Sequence, residues 1–503
     1  MDTPVLIFVD AAGITEHVQE TLYDNDAGSM TAHSVFVEFV DKVASRYNAD
    51  IAVCADVNPL VEYPWPTECR EHWYEQDMIS LMSQRAADLP RYGSILLLRA
   101  DSPLYIFDET CALIEQHQKY FAHYSFCDGY PAGATPELFS VEALPMLHAL
   151  ASPDTRFSNL FAVIQQDINA FDIETRIAPQ DFRLLRLVLR ADSRRNTLLC
   201  RRLAERLDVK NTRWFSKDEL ITVLDQADLD FRTLPASLNW ILHSTVSRPA
   251  VYYPNSTPHS GSQYELVVDA VQSVVEWTGD LVLTLSHLGE PSEYAGIYDL
   301  IAQCASIPGV RVVVETDGIG WQYDQLKDLA GLHDQIDWIL FLDSVDPALY
   351  QQIRPDGNFD AAITATEDFL QLFPDSTYIQ AVRMDISESH MLDFYRFWQE
   401  KTGHVIIQKY NSYSGALPEH RPADTSPIRR MPCWRLKREM TVMPDGGVAM
   451  CHVDVIDPSI AGNIFRQSPD AIWDSFFSLY RQHVDGRYPA LCVNCDEYYT
   501  FTF

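Results

Sequence analysis

The sequence predicts an α/β protein built from three parts in series: a parallel α/β sheet, a partial barrel of six strand-helix units, and a small cysteine-rich C-terminal domain. Three observations predict it. Continuous apolar runs alternate with amphipathic helical stretches near the N-terminus, the alternation restarts at Leu238, and four cysteines gather between Cys433 and Cys495. The expected boundaries are 1–190 for the first sheet, 191–235 for a helical connector, 236–415 for the barrel and 416–503 for the cysteine-rich domain.

In the first part, Val5–Asp10, Ala49–Cys54 and Ser94–Arg99 read as continuous apolar runs with polar residues near their ends. Strands covered on both faces read this way, and helical stretches such as Ser34–Tyr47 lie between them, so the sheet should be parallel. Residues Ala191–Leu234 are polar and helical, and Ser216 with Glu219 is a capping-box signal for a helix over Lys217–Leu229. From Leu238 the expected strands are Leu238–Ser244, Leu281–Ser286, Val310–Glu315, Trp338–Asp343, Thr377–Met384 and Val405–Lys409. Helices are expected over Gln263–Trp277, Glu293–Ala305, Tyr323–Leu332, Ala361–Leu372 and Met391–Lys401. Right-handed crossovers curl such a series toward a barrel.

The 503 residues, 47% hydrophobic and 22% charged, suit about three domains. Lys and Arg number 38 against 71 Asp and Glu, a net charge of −33. That balance repels nucleic acid and anionic membranes, so neither is an expected partner, and a small or basic substrate fits better. No apolar run reaches the roughly 20 residues of a membrane span, and no basic leader precedes the first strand, so a cytoplasmic protein is expected. Of ten cysteines, Cys54, Cys69, Cys111, Cys127, Cys200 and Cys304 are scattered without ligand-like spacing. They read as small hydrophobes, and a disulfide framework is not expected.

The remaining four are Cys433, Cys451, Cys492 and Cys495. A Cys-x-x-Cys turn converges two sulfurs on one centre, and Val442–Met450 reads as strand, Pro-Asp-Gly-Gly turn, strand, which would bring Cys451 beside Cys433. Four thiolates satisfy a 4Fe-4S cluster or a zinc ion equally, and buried apolar thiols are the remaining alternative. Pro432–Cys433, Gly446 with Cys451, Gly462–Asn463–Ile464 and Cys492-x-x-Cys495 together resemble the SPASM/twitch domain that follows the barrel of many radical S-adenosylmethionine (SAM) enzymes. No cysteine follows Cys495, so the resemblance implies one auxiliary 4Fe-4S cluster rather than two. In that family the cluster docks a peptide or relays electrons, which implies a peptide or protein partner.

Upstream, Leu288–Gly289–Glu290–Pro291 resembles the radical SAM segment that binds the SAM amino group, and Glu315–Thr316–Asp317–Gly318 and Leu342–Pro347 resemble its next strand ends. The resemblance implies a TIM-like barrel in which Gly289, Glu290 and Pro291 are vestigial SAM-pocket residues. The family's Cys-x-x-x-Cys-x-x-Cys loop is replaced by Thr245–Pro254, with Val246, Ala250 and Tyr253 where thiolates would stand. Without that cluster no electron reaches SAM, so SAM is not expected as a working cofactor. His243, His259, His287 and His452 are isolated in sequence and are not expected as ligands or bases.

In the first part, Asp101–Ser102–Pro103–Leu104 at a strand end, Tyr130–Gly133, Glu137–Ser140 and Glu174–Phe182 resemble sugar nucleotidyltransferases of GT-A-like fold, in which the Asp of Asp-x-Pro-Leu binds Mg²⁺. That role falls on Asp101, with Asp181 as a second carboxylate. Met1–Asp41 lacks any Lys or Arg to clamp a triphosphate, so nucleotidyl transfer with Mg²⁺ is not the favoured reading. The whole combination is similar to a SPASM family of spirochaetes. It implies an iron-sulfur protein without SAM cleavage, its one cluster serving binding, structure or redox. The alternatives are an active enzyme, either the nucleotidyltransferase or an unusual radical SAM maturase, and a zinc-stabilised scaffold.

Overall fold

A computed structural model describes residues 4–25, 28–55, 69–73 as backbone, 92–151, 160–207, 209, 214–225, 231–244, 246–254, 259, 261–428 and 430–500. The chain divides into two compact units, Met1–Thr233 and Leu234–Phe503. Thr245 and the end of the helix expected over Lys217–Leu229 lie outside the described residues.

The strands of the first unit are β1 Val5–Asp10, β2 Thr21–Asn25, β3 Gly28–Thr31, β4 Asp50–Cys54, β5 Cys69–Trp73, β6 Ser94–Arg99, β7 Tyr124–Asp128, β8 Glu137–Ser140 and β9 Ile173–Ile177. Seven of them form one sheet in the order β5-β4-β1-β6-β8-β7-β9. Pairing is parallel from β5 to β6, as the apolar runs at β1, β4 and β6 led one to expect, and every residue of β1 is buried. It turns antiparallel at β8. The link 129–136 between β7 and β8 is too short for the dozen or so residues of a parallel crossover, so β8 has to reverse.

The segment expected as a connector packs into this unit. Helices Arg194–Arg206 and Lys217–Leu224 bury Leu199, Cys200, Leu203 and Leu220 against Leu104, Tyr130 and Phe182. Ser216 and Glu219 form both halves of the capping box. An amphipathic helix with a wide apolar face buries that face rather than span a gap.

In the second unit the strands are β10 Ser237–Trp240, β11 Leu281–Leu285, β12 Val310–Thr316, β13 Ile336–Phe341, β14 Thr377–Arg383, β15 Val405–Lys409, β16 Glu439–Val442, β17 Gly447–Ala449 and β18 Ile460–Asn463. They form one sheet in the order β15-β14-β13-β12-β11-β10-β16-β17-β18. The six barrel strands are parallel, with helices between them close to the expected ranges. One pairing was not expected: β16, from the cysteine-rich region, runs parallel with β10 and extends the barrel sheet.

Side chains alternate across these strands. Leu238, Trp240, Leu283, Leu285, Val312, Val314, Trp338 and Leu340 pack under the helices in one core. The intervening Asn239, Thr284, Glu315, Phe341, Gln380 and Gln408 line a chamber on the other face. Strand β10 stops at Trp240 rather than at the expected Ser244. Beyond it the buried His243 meets the turn after β11 so closely that a Cβ on Gly289 would stand 1.6 Å from the His243 carbonyl oxygen.

The expected hairpin is present, with Thr441 opposite Ala449 and Val442 opposite Val448. Gly446 sits at φ +82°, and a Cβ there would lie 2.3 Å from the Phe465 ring. Among the described residues no helix is long and apolar enough to cross a membrane. Gly446→Ala should cost about 2 kcal/mol through left-handed backbone and overpacking together, read as a lower urea midpoint at unchanged m.

Candidate metal centre and barrel chamber

The hairpin and the chain end bring the four C-terminal cysteines to one small cavity, lined by Cys433, Cys451, Cys492 and Cys495. Cys433 immediately precedes the short helix Arg435–Arg438, Cys451 follows β17, and Cys492 and Cys495 flank the end of helix Ala490–Val493. There the Cys495 amide donates to the Cys492 carbonyl at 3.3 Å, and both residues line the cavity. The Glu497 amide donates to the Cys495 sulfur at 3.4 Å.

Burial pushes the Cys492 thiol up to about 11 and the Cys495 thiol up to about 12. Burial raises Cys451 further still, with the other three cysteines adding to the rise. Four crowded, desolvated thiols become thiolates together only around a positive centre. Among the described residues no three or more His, Cys, Asp or Glu side chains are already drawn together as a site for a metal ion. The donor set, four sulfurs on a shared wall with backbone amides directed at them, nevertheless suits a sulfur-ligated metal group.

A belt of buried charge separates this cavity from the barrel. Arg435 donates to Glu439 at 2.9 Å and lies 3.5 Å from Glu497. His452 bridges the same two carboxylates at 3.3 and 3.7 Å, and Lys409 donates to Glu497 at 2.8 Å and to Asp496 at 2.7 Å. Burial alone would raise Glu439, but Arg435 and then His452 outweigh it and hold the carboxyl at about 2. Glu497 is likewise held well below its ordinary range, burial being outweighed by His452, Lys409 and Arg435. Arg435, His452 and Glu497 line both the thiol cavity and the chamber.

The chamber has a volume of about 460 Å³. His287 and Glu315 face it as a pair, Nδ1 to Oε2 at 2.6 Å, with the His287 amide on the same oxygen. The Oδ1 of Asn239 is buried there without a partner. Sequence reasoning missed this lining. Its signal was the period-two recurrence of Thr284 with Ser286, Val313 with Glu315 and Gln380 with Val382, which marks one strand face as polar enough to bind.

At the loop after β10, Ala250, Tyr252 and Tyr253 are buried in an apolar cluster with Phe341, Met384 and Tyr410, and Val246 packs beside it. The Tyr252 hydroxyl donates to Asp343 at 2.7 Å, Arg354 Nε donates to the same carboxylate at 2.8 Å, and Arg354 Nη2 donates to the Tyr252 hydroxyl at 2.7 Å. Asp343 and Arg354 are both 0% exposed. Tyr253 lies 5.1 Å from the His287 ring, centroid to centroid. This packing leaves neither thiols nor an open face for a metal, so the loop does not fit a SAM-cleaving cluster.

Glu290 and the Thr316–Asp317–Gly318 turn meet. The Glu290 carboxylate accepts from Thr316 Oγ1 at 2.5 Å, from the Asp317 amide at 3.0 Å and from the Ser292 amide at 3.2 Å. Pro291 opens the 3-10 turn Pro291–Glu293. Gly289, beside them, packs on the His243 carbonyl. In the first unit, Arg99 forks onto Asp101 at 3.3 and 3.0 Å, and Arg183 forks onto Asp181 at 2.9 and 2.7 Å. A guanidinium stands where Mg²⁺ would have to bind, so neither carboxylate fits that role as placed.

Residues 433–496 match SPASM, an iron-sulfur cluster-binding domain. The chain is 35% identical over 364 residues to an uncharacterized protein of Treponema pallidum (strain Nichols), covering 69% of this chain and 99% of that protein. It is 32% identical over 117 residues to the GTP 3',8-cyclase of Synechococcus elongatus, covering 22% of this chain and 35% of the cyclase. Among solved structures it is similar to Streptococcus suis SuiB bound to S-adenosylmethionine, at TM-score 0.42 and 14% identity over 48% of this chain and 65% of that one. It is also similar to SuiB bound to precursor peptide SuiA, at TM-score 0.42 and 12% identity over 66% and 78%.

Two outcomes follow from this packing. Arg354→Met strands the Asp343 carboxylate without its cation and should cost about 3–5 kcal/mol in urea unfolding. Burial, and then the Asp317 carboxylate, raise Glu290. Its contribution is full below the ordinary carboxylate range and is lost as pH rises through the raised value. Glu290→Gln should therefore flatten the fall in stability between about pH 5 and about pH 8, measured by urea unfolding across that range.

Proposed function

This chain belongs to the same family as the Treponema pallidum protein and ends in a SPASM domain, and from that premise we propose that it is an iron-sulfur binding protein that does not cleave SAM. Cys433, Cys451, Cys492 and Cys495 hold one 4Fe-4S cluster, which supplies a one-electron redox centre when bound. The barrel serves as a binding chamber for the end or a side chain of a peptide or protein partner.

The observation that carries this reading is a contrast within one unit. Four thiols share a cavity at its C-terminal end, whereas Ala250 and Tyr253, where thiols would be required at the other end, are buried in an apolar cluster. A volume of about 460 Å³ with an unpartnered Asn239 oxygen supports a ligand with hydrogen-bond donors, within the range usual for small-ligand sites. The cations Lys409 and Arg435 offset Glu439 and Glu497, the two carboxylates they pair with at the chamber, which favours an uncharged or zwitterionic group over a polyanion.

Anaerobic reconstitution followed by iron and sulfide analysis tests the cluster. Wild-type chain should carry about four irons and four sulfides, the content of a cubane cluster. Cys492→Ser should lose most of both. Zinc without sulfide would support the scaffold alternative instead, and unchanged iron in the variant would remove the ligand assignment. Incubation of loaded protein with SAM and a strong reductant should yield no 5′-deoxyadenosine; its formation would overturn the proposal.

A further inference from the structure

The four thiols do not have their cavity to themselves. His483, 2% exposed on helix Phe477–Val484, reaches the same cavity with both ring nitrogens buried and without a hydrogen-bond partner. The Nε atoms of Arg430 and Arg435, which line it too, are buried and unpaired as well. An orphaned buried donor is destabilising unless something accepts from it.

The positions of these groups are held by the rest of the domain. Arg430 donates through Nη1 to the Val493 carbonyl at 3.1 Å and through Nη2 to the Cys492 carbonyl at 2.5 Å, and stacks on Tyr488 at 4.1 Å. His483 meets the same Tyr488 ring edge-on at 5.0 Å. Arg430 is therefore braced by the turn that carries Cys492 and Cys495, His483 shares the Tyr488 ring with it, and both line the cavity that the four cysteines line. An imidazole keeps at least one N–H in either tautomer, and a guanidinium keeps its Nε–H at every physiological pH.

We propose that His483, Arg430 and Arg435 donate N–H hydrogen bonds to the sulfurs of the cluster held by these cysteines and so raise its reduction potential. The inference rests on the iron-sulfur reading above and deepens it. Reduction places one more negative charge on the cluster. A donor or guanidinium in a desolvated wall stabilises that added charge more than it stabilises the oxidised state. Arg435 gives the effect a direction, since its other nitrogens hold Glu439 and Thr500 beside the chamber. These residues position and tune; they transfer nothing themselves.

The test uses the full chain, reconstituted anaerobically, as wild type, His483→Phe and His483→Gln. A redox titration followed by electron paramagnetic resonance should find the midpoint of His483→Phe lower by a tenfold change in the reduction equilibrium, about 59 mV for one electron. His483→Gln, whose amide can still donate, should recover part of the difference at equal iron and sulfide. An unchanged midpoint in fully loaded His483→Phe would overturn the proposal. Should that variant fail to load, pulsed resonance on the reduced wild type decides: a nitrogen coupling and an exchangeable proton near the cluster are expected, and absence of both overturns it. A wild-type chain that takes up no iron and sulfide defeats the parent reading and this one together, whereas a loaded chain lacking these signatures defeats this one alone.

Discussion

The second unit depends on the parallel pairing of β16 with β10. Ser237 lies opposite Glu439, Leu238 opposite Met440 and Asn239 opposite Thr441, so the cysteine-rich region is a continuation of the barrel sheet. Register across a sheet with one buried face is unforgiving, because a slip of one residue exchanges every inward side chain for an outward one. In this register Glu439 faces the chamber while Met440 and Val442 enter the helix-covered core. Cys433 and Arg435, a few residues earlier, are thereby delivered to the wall between chamber and thiols.

That wall is electrostatically expensive. Burying carboxylates such as Glu439 and Glu497 costs several kcal/mol each unless cations and donors compensate. Compensation comes from Arg435, His452 and Lys409, which reach the carboxylates from different segments of the unit.

The two ends of the barrel meet opposite demands with the same chemistry of packing. Around the loop after β10, Tyr252, Asp343 and Arg354 close a fully buried triad, and aromatic rings fill the surrounding space. Such a region is rigid and has no ligand to spare for a metal. Around the C-terminal thiols, by contrast, buried nitrogens are left unpaired and four cysteines line one cavity. Strain of that kind is tolerated where a bound group relieves it.

Much of this was legible in the sequence. Strand positions β11 to β15 followed from unbroken or alternating apolar runs, a hairpin over Val442–Met450 from its Pro-Asp-Gly-Gly turn, and the candidate sulfur ligands from their spacing, because each is a property of local pattern. The lack of thiols at Val246, Ala250 and Tyr253 was equally visible. Tertiary structure alone decided that β8 reverses, that the helices of 191–235 belong to the first core, and that β16 joins the barrel. It alone brought His287 to Glu315 and His483 to the cysteines. These are contacts between residues far apart in the chain, set by how faces are buried against one another, and no local period or turn signal encodes which distant side chain will share a cavity.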